Sequence, residues 1–407
     1  MSESAAGRAV KASILLAALG YFVDIYDLIL FSIVRVKSLK DIGVLDADLL
    51  SNGVHLLNWQ MTGMLSGGIL WGVLGDKKGR LSVLFGSIFL YSAANLANGL
   101  VHSVSAYSWL RLIAGIGLAG ELGAGITLVS EVMPKETRGY GTMIVAGVGI
   151  FGGVAAGLIG DHFNWRTAYF IGGGMGLVLL LLRVSVYESE MFSRLTRTGA
   201  CRGSFATIFK NRQRAAKYLC SILIGVPIWF VIGILATFSP EFGQALSMPV
   251  IPSAAKAVMF LYLGCALGDF LSGSLSQYFR SRRKVSGSFL MATAALIAVY
   301  LTVSGGSLAY FYGLCFALGL AVGYWALFVT MASEQFGTNV RATVTTTAPN
   351  FVRGSLVLLN FAFTAAKSRI GIIGAAGLVG GASVALALAA LSQVDETYGK
   401  DLNYCDD

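Results

Sequence analysis

Six ionisable side chains stand inside stretches that are otherwise apolar: Asp24, Asp27, Arg111, Glu121, Asp269 and Arg353. Asp24 and Asp27 are three residues apart, so a helix places both carboxylates on one face, with Tyr21 on nearly the same stripe. Two carboxylates so close resist joint ionisation, and an apolar setting acts in the same direction. One of them should hold a proton near physiological pH, as a proton carrier must. The alternative is a structural pair at a helix end. Arg111 stays charged and presents a flat fork of donors that suits a carboxylate. It is expected to hold an anionic ligand, to pair with Asp24 or Asp27, or to snorkel to an interface. Glu121 lies about 15 Å further along the same helix. That is too far for Arg111, so its partner is expected on the first or the eleventh apolar stretch. Arg353 follows Pro349 and Asn350 and is the best anchor for a negative group on a ligand; pairing with Glu121 or Asp269 is the alternative. Asp269, four residues before Gly273, is expected at a closing interface more than at a ligand.

The elements that must position these groups follow from composition. The chain has 407 residues, 56% apolar and only 13% charged. Soluble domains run about 45–50% apolar and about 25% charged. A water-soluble enzyme, a disordered chain and a secreted disulfide scaffold are therefore excluded. Windows of about 20 apolar residues give twelve expected spans: 12–34, 50–74, 81–101, 107–130, 139–160, 167–187, 218–240, 254–276, 286–304, 307–332, 343–366 and 370–392. The runs are continuous rather than alternating, which excludes a β-barrel. A charge at the centre of a bilayer costs at least about 2.5–3.5 kcal/mol, so each of the six needs a partner, a water-filled cavity or a task.

Twelve spans put both termini on one side. The even-numbered connections and the termini carry most of the cations, including Lys77, Lys78, Arg80, Lys135, Arg138, the stretch from Arg183 to Lys217, and Arg280 to Lys284. That side is expected to be cytoplasmic. The first external connection breaks the trend with Arg35, Lys37 and Lys40, balanced by Asp41, Asp46 and Asp48. The net charge of +9 is thus a topology signal and a contact for anionic lipid, not a nucleic-acid footprint. Arg8 and Lys11 precede an apolar run, but that run contains Asp24 and Asp27 and reads as a first span, not a cleaved signal. Five cysteines without a CxxC give no metal site, and no Walker, HExxH, GxSxG or dinucleotide fingerprint is present. Neither an enzyme nor a cofactor is expected.

The chain repeats itself. Gly72-Val-Leu-Gly-Asp76-Lys-Lys-Gly79-Arg80 after span two is echoed by Gly273-Ser-Leu-Ser-Gln277-Tyr-Phe-Arg280 after span eight. Glu131, with Arg138 seven residues on, is echoed by Glu334 with Arg341 seven residues on. The longest internal polar segment, 188–216, separates the halves. Duplicated halves are what a rocking transporter uses, with its site between them at the bilayer midplane.

With these motifs the chain resembles the major facilitator superfamily over its whole length; Gly72 to Arg80 is similar to that superfamily's G-x-L-x-D-x-x-G-R loop. The resemblance implies an all-α membrane protein with twelve transmembrane helices in two pseudo-symmetric six-helix bundles. The expected parts are a bundle over 1–187, a basic cytoplasmic linker over 188–216 and a second bundle with a short tail over 217–407. Gly20-Tyr-Phe-Val-Asp24-Ile-Tyr26-Asp27 is similar to the D-G-[YF]-D element of aromatic-acid and sialate proton symporters, with Ile25 in place of glycine. The run from Arg111 to Glu121, with Glu131-x-x-Pro134-x-x-x-Arg138, looks like the pattern shared by metabolite–proton symporters, sugar porters and organic-ion transporters. The tail from Glu396 to Leu402 looks like the end of the same branch. Gly147 to Gly160 lacks the proline of the antiporter element, which favours symport or uniport over antiport.

By this resemblance Gly72, Asp76, Gly79, Arg80, Glu131 and Arg138 form an inner latch between the halves, with Glu334, Arg341 and Asp269 in its second copy. Asp24, Asp27 and Glu121 are the expected proton-coupling groups. Tyr26, Gln60, Arg111, Tyr324, Trp325 and Arg353 are the expected substrate contacts. The expected protein is a monomer in a plasma or bacterial inner membrane that moves a small, anionic metabolite with protons. The alternatives are a proton-coupled sugar or polyol carrier, and an exporter of drugs, siderophores or metabolites by antiport.

Overall fold

The computed structural model describes residues 3–78, 80–121, 138–187 and 206–399; the side chains of 3–13, 73, 75–82, 138–143, 185–187, 206–207, 338–339 and 341–342 are outside that description. All regular structure among the described residues is helical. The first half contains α1 (Glu3–Asp41), α2 (Leu49–Lys78), α3 (Arg80–Asn98), α4 (Val104–Leu118), α5 (Arg138–His162) and α6 (Trp165–Tyr187). The second contains α7 (Arg212–Phe230), α8 (Ala254–Tyr278), α9 (Arg282–Thr302) and α10 (Leu308–Val322, resuming as Trp325–Glu334). It ends with α11 (Thr338–Gly354, continuing past Ser355) and α12. Gly371, at φ 72° and ψ 173°, divides Leu356–Gln393 between α11 and α12. Only glycine takes that left-handed backbone without strain, and the reversal between the last two passes falls there.

The helices begin where short polar side chains can satisfy the first free amides. Ser103, Asn211, Ser281 and Ser307 each accept from an amide two or three residues on, at the starts of α4, α7, α9 and α10. α7 and α9 therefore begin several residues ahead of their apolar windows. α1 continues to Asp41 rather than ending near residue 34, which takes Arg35 out of the expected loop and buries it. Pro227 removes one ladder bond from α7, and a six-residue π-turn, Val231–Ala236, follows.

Within the first half α1 packs on α5 and α6, while α4 packs on α2 and α3. Gly63, Gly67 and Gly115 let α2 and α4 approach so closely that a Cβ would meet backbone. The second half repeats this with α8 against α10 at Gly264, Gly268 and Gly319. The halves meet along α5 with α8, α2 with α11, and α1 with α8. Glu396, past α12, accepts from the Ser281 hydroxyl and from the amides of Arg282 (2.9 Å) and Arg283 (3.3 Å), tying the tail to the start of α9. Burial raises its carboxyl, but these bonds outweigh that and hold it below the usual carboxylate range. The tie is complete at neutral pH and is lost as acid carries the pH down through that lowered value.

Candidate functional site

Between the halves lies a small cavity of about 30 Å³, lined from α1 by Tyr21 and Ile25 and from α8 by Tyr262, Cys265 and Asp269. α7 contributes Trp229, the break in α10 contributes Gly323 and Trp325, and α11 contributes Arg353. Of the six expected substrate contacts, Trp325 and Arg353 are the two that line it. Asp269 lines it too, where the halves face each other.

Arg353 is fully buried, with its guanidinium carbon 5.6 Å from the centre of the Trp325 ring. Its Nη2 is 3.6 Å from Oδ2 of Asp24, an ion pair that bridges the two halves. Neither this contact nor any other gives Arg353 Nε, Nη1 or Nη2 a hydrogen-bond partner, and both Asp24 oxygens are likewise without one. Arg353 thus pairs with Asp24 rather than with Glu121 or Asp269. The Asp269 Oδ1 accepts from the Ala326 amide at 3.0 Å, and its Oδ2 is buried without a partner.

Asp27 does not reach the cavity. It points into the first half, where Gly172 leaves room for it: a Cβ there would collide with its carboxylate and the Tyr26 ring. Both Asp27 oxygens are buried and unpartnered, with Arg111 and Asn95 the polar groups nearest in charge effect. Arg111 lies fully buried rather than snorkelling. It stacks over Phe31 at 5.3 Å and donates to the Tyr169 hydroxyl at 3.5 Å. Tyr26 donates to the Ala168 carbonyl and Gln60 to the Leu28 carbonyl, both inside the first half. Tyr324 donates to the Ile224 carbonyl inside the second. These three are engaged with backbone, away from the cavity.

Glu121 is held by Arg183 of α6, through Nη1 at 3.0 Å and Nη2 at 2.5 Å, while Nη2 also donates to the Leu16 carbonyl. The expectation of a partner on span one or eleven is corrected: the cation comes from α6, buried rather than left at the surface as a topology signal. A Cβ on Gly20 would strike both members of this pair. Arg183 was legible as a cation closing an uninterrupted leucine run. Arg35 was legible as a cation on the side that topology disfavours.

At the end of the bundles remote from the chain termini, Arg35 is fully buried. It pairs with Glu241 at 2.7 Å and donates to the carbonyls of Leu49 (3.2 Å) and Thr237 (3.3 Å), while lying over the Phe238 ring. Asn360 of α11 also donates to Asn58 of α2 at 2.8 Å, a second bond between the halves. Of the expected latch, Gly79 and Glu131 lie outside the described residues, as do the side chains of Asp76, Arg80, Arg138 and Arg341. Gly72 faces open space on α2. Glu334 pairs with Arg282 in a two-pronged bridge of 2.7 and 2.9 Å.

Comparison with known proteins places this architecture. Residues 14–359 match the Major Facilitator Superfamily. The chain belongs to that superfamily. Its solved relatives include a D-xylose–proton symporter, similar at TM-score 0.74 with 17% identity over 97% of this chain and 100% of the other, a likeness of fold. In sequence it is 28% identical over 350 residues to a protein described as a metabolite transporter of Haemophilus influenzae, covering 80% of this chain and 82% of that one. It is also 28% identical over 298 residues to the 3-(3-hydroxy-phenyl)propionate transporter of Escherichia coli K12, covering 70% of each. This superfamily member is a membrane transporter of metabolites and not an enzyme.

Proposed function

We propose that the protein is a secondary active symporter that carries a small organic acid together with protons by alternating access. The observation that carries this reading is the buried Arg353 guanidinium at the cavity, short of hydrogen bonds on every nitrogen and 3.6 Å from Asp24 of the opposite half. A carboxylate would complete its donors, and a proton on Asp24 would free it for that task. The acid carried by the Escherichia coli relative supports the same substrate class. Residues 1–187 and 217–407 act as the two rocking units, with both termini in the cytoplasm and the Arg35–Glu241 face outside.

A second reading, symport of a neutral metabolite, draws on the same ion pair, because Arg353 already has a partner in Asp24. Uptake into proteoliposomes, screened over carboxylates and sugars with and without an imposed pH gradient, separates the two. Carboxylate accumulation that depends on the gradient supports the acid symporter. Accumulation of sugars alone supports the neutral carrier. Arg353→Gln should raise the apparent KM for the acid at least tenfold, since a charge-assisted bond is worth about 1.5–3 kcal/mol. An unchanged KM removes Arg353 from the site.

The Arg35–Glu241 clasp should bias the molecule toward the outward-closed state. Glu241→Ala leaves Arg35 buried without its counterion and should favour outward opening by about 1–2 kcal/mol, or about tenfold in population. The native Cys265 reports this, since its thiol lines the cavity. Its alkylation by an impermeant maleimide added outside should quicken about tenfold in the variant. Equal rates with wild type remove the clasp from gating.

A further inference from the structure

The second copy of the loop signature carries different chemistry from the first. Aligned on Gly72 and Gly273, it has Gln277 for Asp76, Tyr278 and Phe279 for Lys77 and Lys78, and Arg280 for Gly79. The acid is gone, and an aromatic pair and a cation stand in new places. Tyr278 and Phe279 are both exposed, with their rings edge to face at 5.1 Å. Aromatic rings and basic side chains gather where a bilayer meets water. Arg280, just past the end of α8, has φ 49°, the left-handed backbone that glycine takes there without strain. A side chain retained at such a position offsets a conformational cost with a contact of its own.

Beside this loop, between the start of α9 and the end of α12, opens a cavity of about 640 Å³. Arg280, Arg283 and Lys284 give it a basic lining, and Phe279, Leu388 and Leu391 an apolar one. The acid that lines it, Glu396, is already engaged by the Ser281 hydroxyl and by the amides of Arg282 and Arg283. Arg283 gives one nitrogen to the Ser392 carbonyl at 3.3 Å. Among the described residues, no hydrogen bond or ion pair takes the side chains of Arg280 and Lys284. Three cations against one carboxylate leave the lining with a net charge of +2, complementary to an anion.

We infer that this cavity binds the headgroup of an anionic phospholipid, its phosphate on Arg280, Arg283 and Lys284 and its glycerol and first acyl carbons against Phe279, Leu388 and Leu391. Phosphate oxygens accept charge-assisted bonds from such side chains. The apolar lining and the exposed aromatic pair favour a lipid over a soluble phosphate, which would have no use for them. The inference is independent of the symport reading, because none of these residues lines the cavity between the halves.

The test titrates the purified full chain, in neutral detergent, with phosphatidylglycerol and with phosphatidylcholine of the same acyl chains, and counts bound lipid by native mass spectrometry. A net positive charge at a membrane surface is worth about fivefold, so phosphatidylglycerol should bind about 25-fold more tightly. Arg280→Gln with Lys284→Gln should erase that preference and spare phosphatidylcholine. Lys210→Gln with Arg212→Gln removes as much charge from exposed residues at the start of α7, on the same end of the second half, and should change neither affinity. Arg280→Gly removes a cation and relaxes the backbone. It should raise the midpoint of thermal unfolding in lipid-free detergent while weakening phosphatidylglycerol about fivefold. Those opposite signs separate a lost contact from poor folding. Equal affinity for the two lipids, an equal loss in the Lys210 and Arg212 variant, or unaltered binding in Arg280→Gly overturns the site. Glycerol 1-phosphate that displaces the lipid with matching affinity would make the ligand a soluble phosphate and overturns it as well.

Discussion

Removing either member of the Arg183–Glu121 pair should destabilise the protein by about 3–5 kcal/mol, because the survivor is a buried charge without a counterion. Both side chains are 1% exposed, and the guanidinium grips the carboxylate with two nitrogens. The pair ties the segment that follows α4 to α6, and the Arg183 bond to the Leu16 carbonyl brings in α1. Arg183→Gln and Glu121→Gln should each lower the midpoint of thermal unfolding in detergent markedly. The double variant should recover much of the loss, since two neutral amides of similar shape can bond to each other. A double-variant cycle with no coupling would mean that the two charges act independently. Gly20→Ala tests the same contact from outside it, because its methyl group has no space beside the pair.

This pair shows which parts of the fold can be read from the chain. Apolar windows mark the passes because lipid demands long apolar helices, whatever the rest of the molecule does. The offset between Gly72 to Arg80 and Gly273 to Arg283 marks the two halves. Pairing was less legible. Glu121 announces that it needs a cation, yet nothing in its spacing says that α6 supplies it. The choice depends on which helices adjoin, and close packing at Gly20 decides that. The same limit separates Asp24 from Asp27. Three residues put both carboxylates on one broad face, but the 60° between them sends one to Arg353 of the other half and the other into the first half. Tyr26, Gln60 and Tyr324 are midspan polar groups, and the sequence cannot tell a ligand from a neighbouring carbonyl as the acceptor. The bond that Asp269 makes was not legible, because the interruption of α10 at Gly323 and Tyr324 leaves no apolar gap in the chain, although it creates the free amides that the carboxylate caps.

The separation of the two acids gives the second large expectation. If one proton accompanies each acid anion, a gradient of one pH unit supports about tenfold accumulation, since it is worth about 1.4 kcal/mol. Asp27→Asn keeps the shape of a side chain that is buried, has no hydrogen-bond partner and is shut away from the cavity. It should abolish accumulation while exchange of labelled for unlabelled substrate continues, because exchange needs no net proton movement. Asp24→Asn acts at a different point. It removes the counterion of Arg353 and with it an ion pair that joins the two halves. Its carboxamide can neither be protonated nor neutralise Arg353, so accumulation should again be lost. Here the substrate's own carboxylate becomes the sole partner for Arg353, and apparent affinity should rise. A carrier with both substitutions that still accumulates substrate against a pH gradient would remove this pair from coupling. Retained accumulation in Asp27→Asn alone would place the transported proton on Asp24, where it would be exchanged directly against the Arg353 contact.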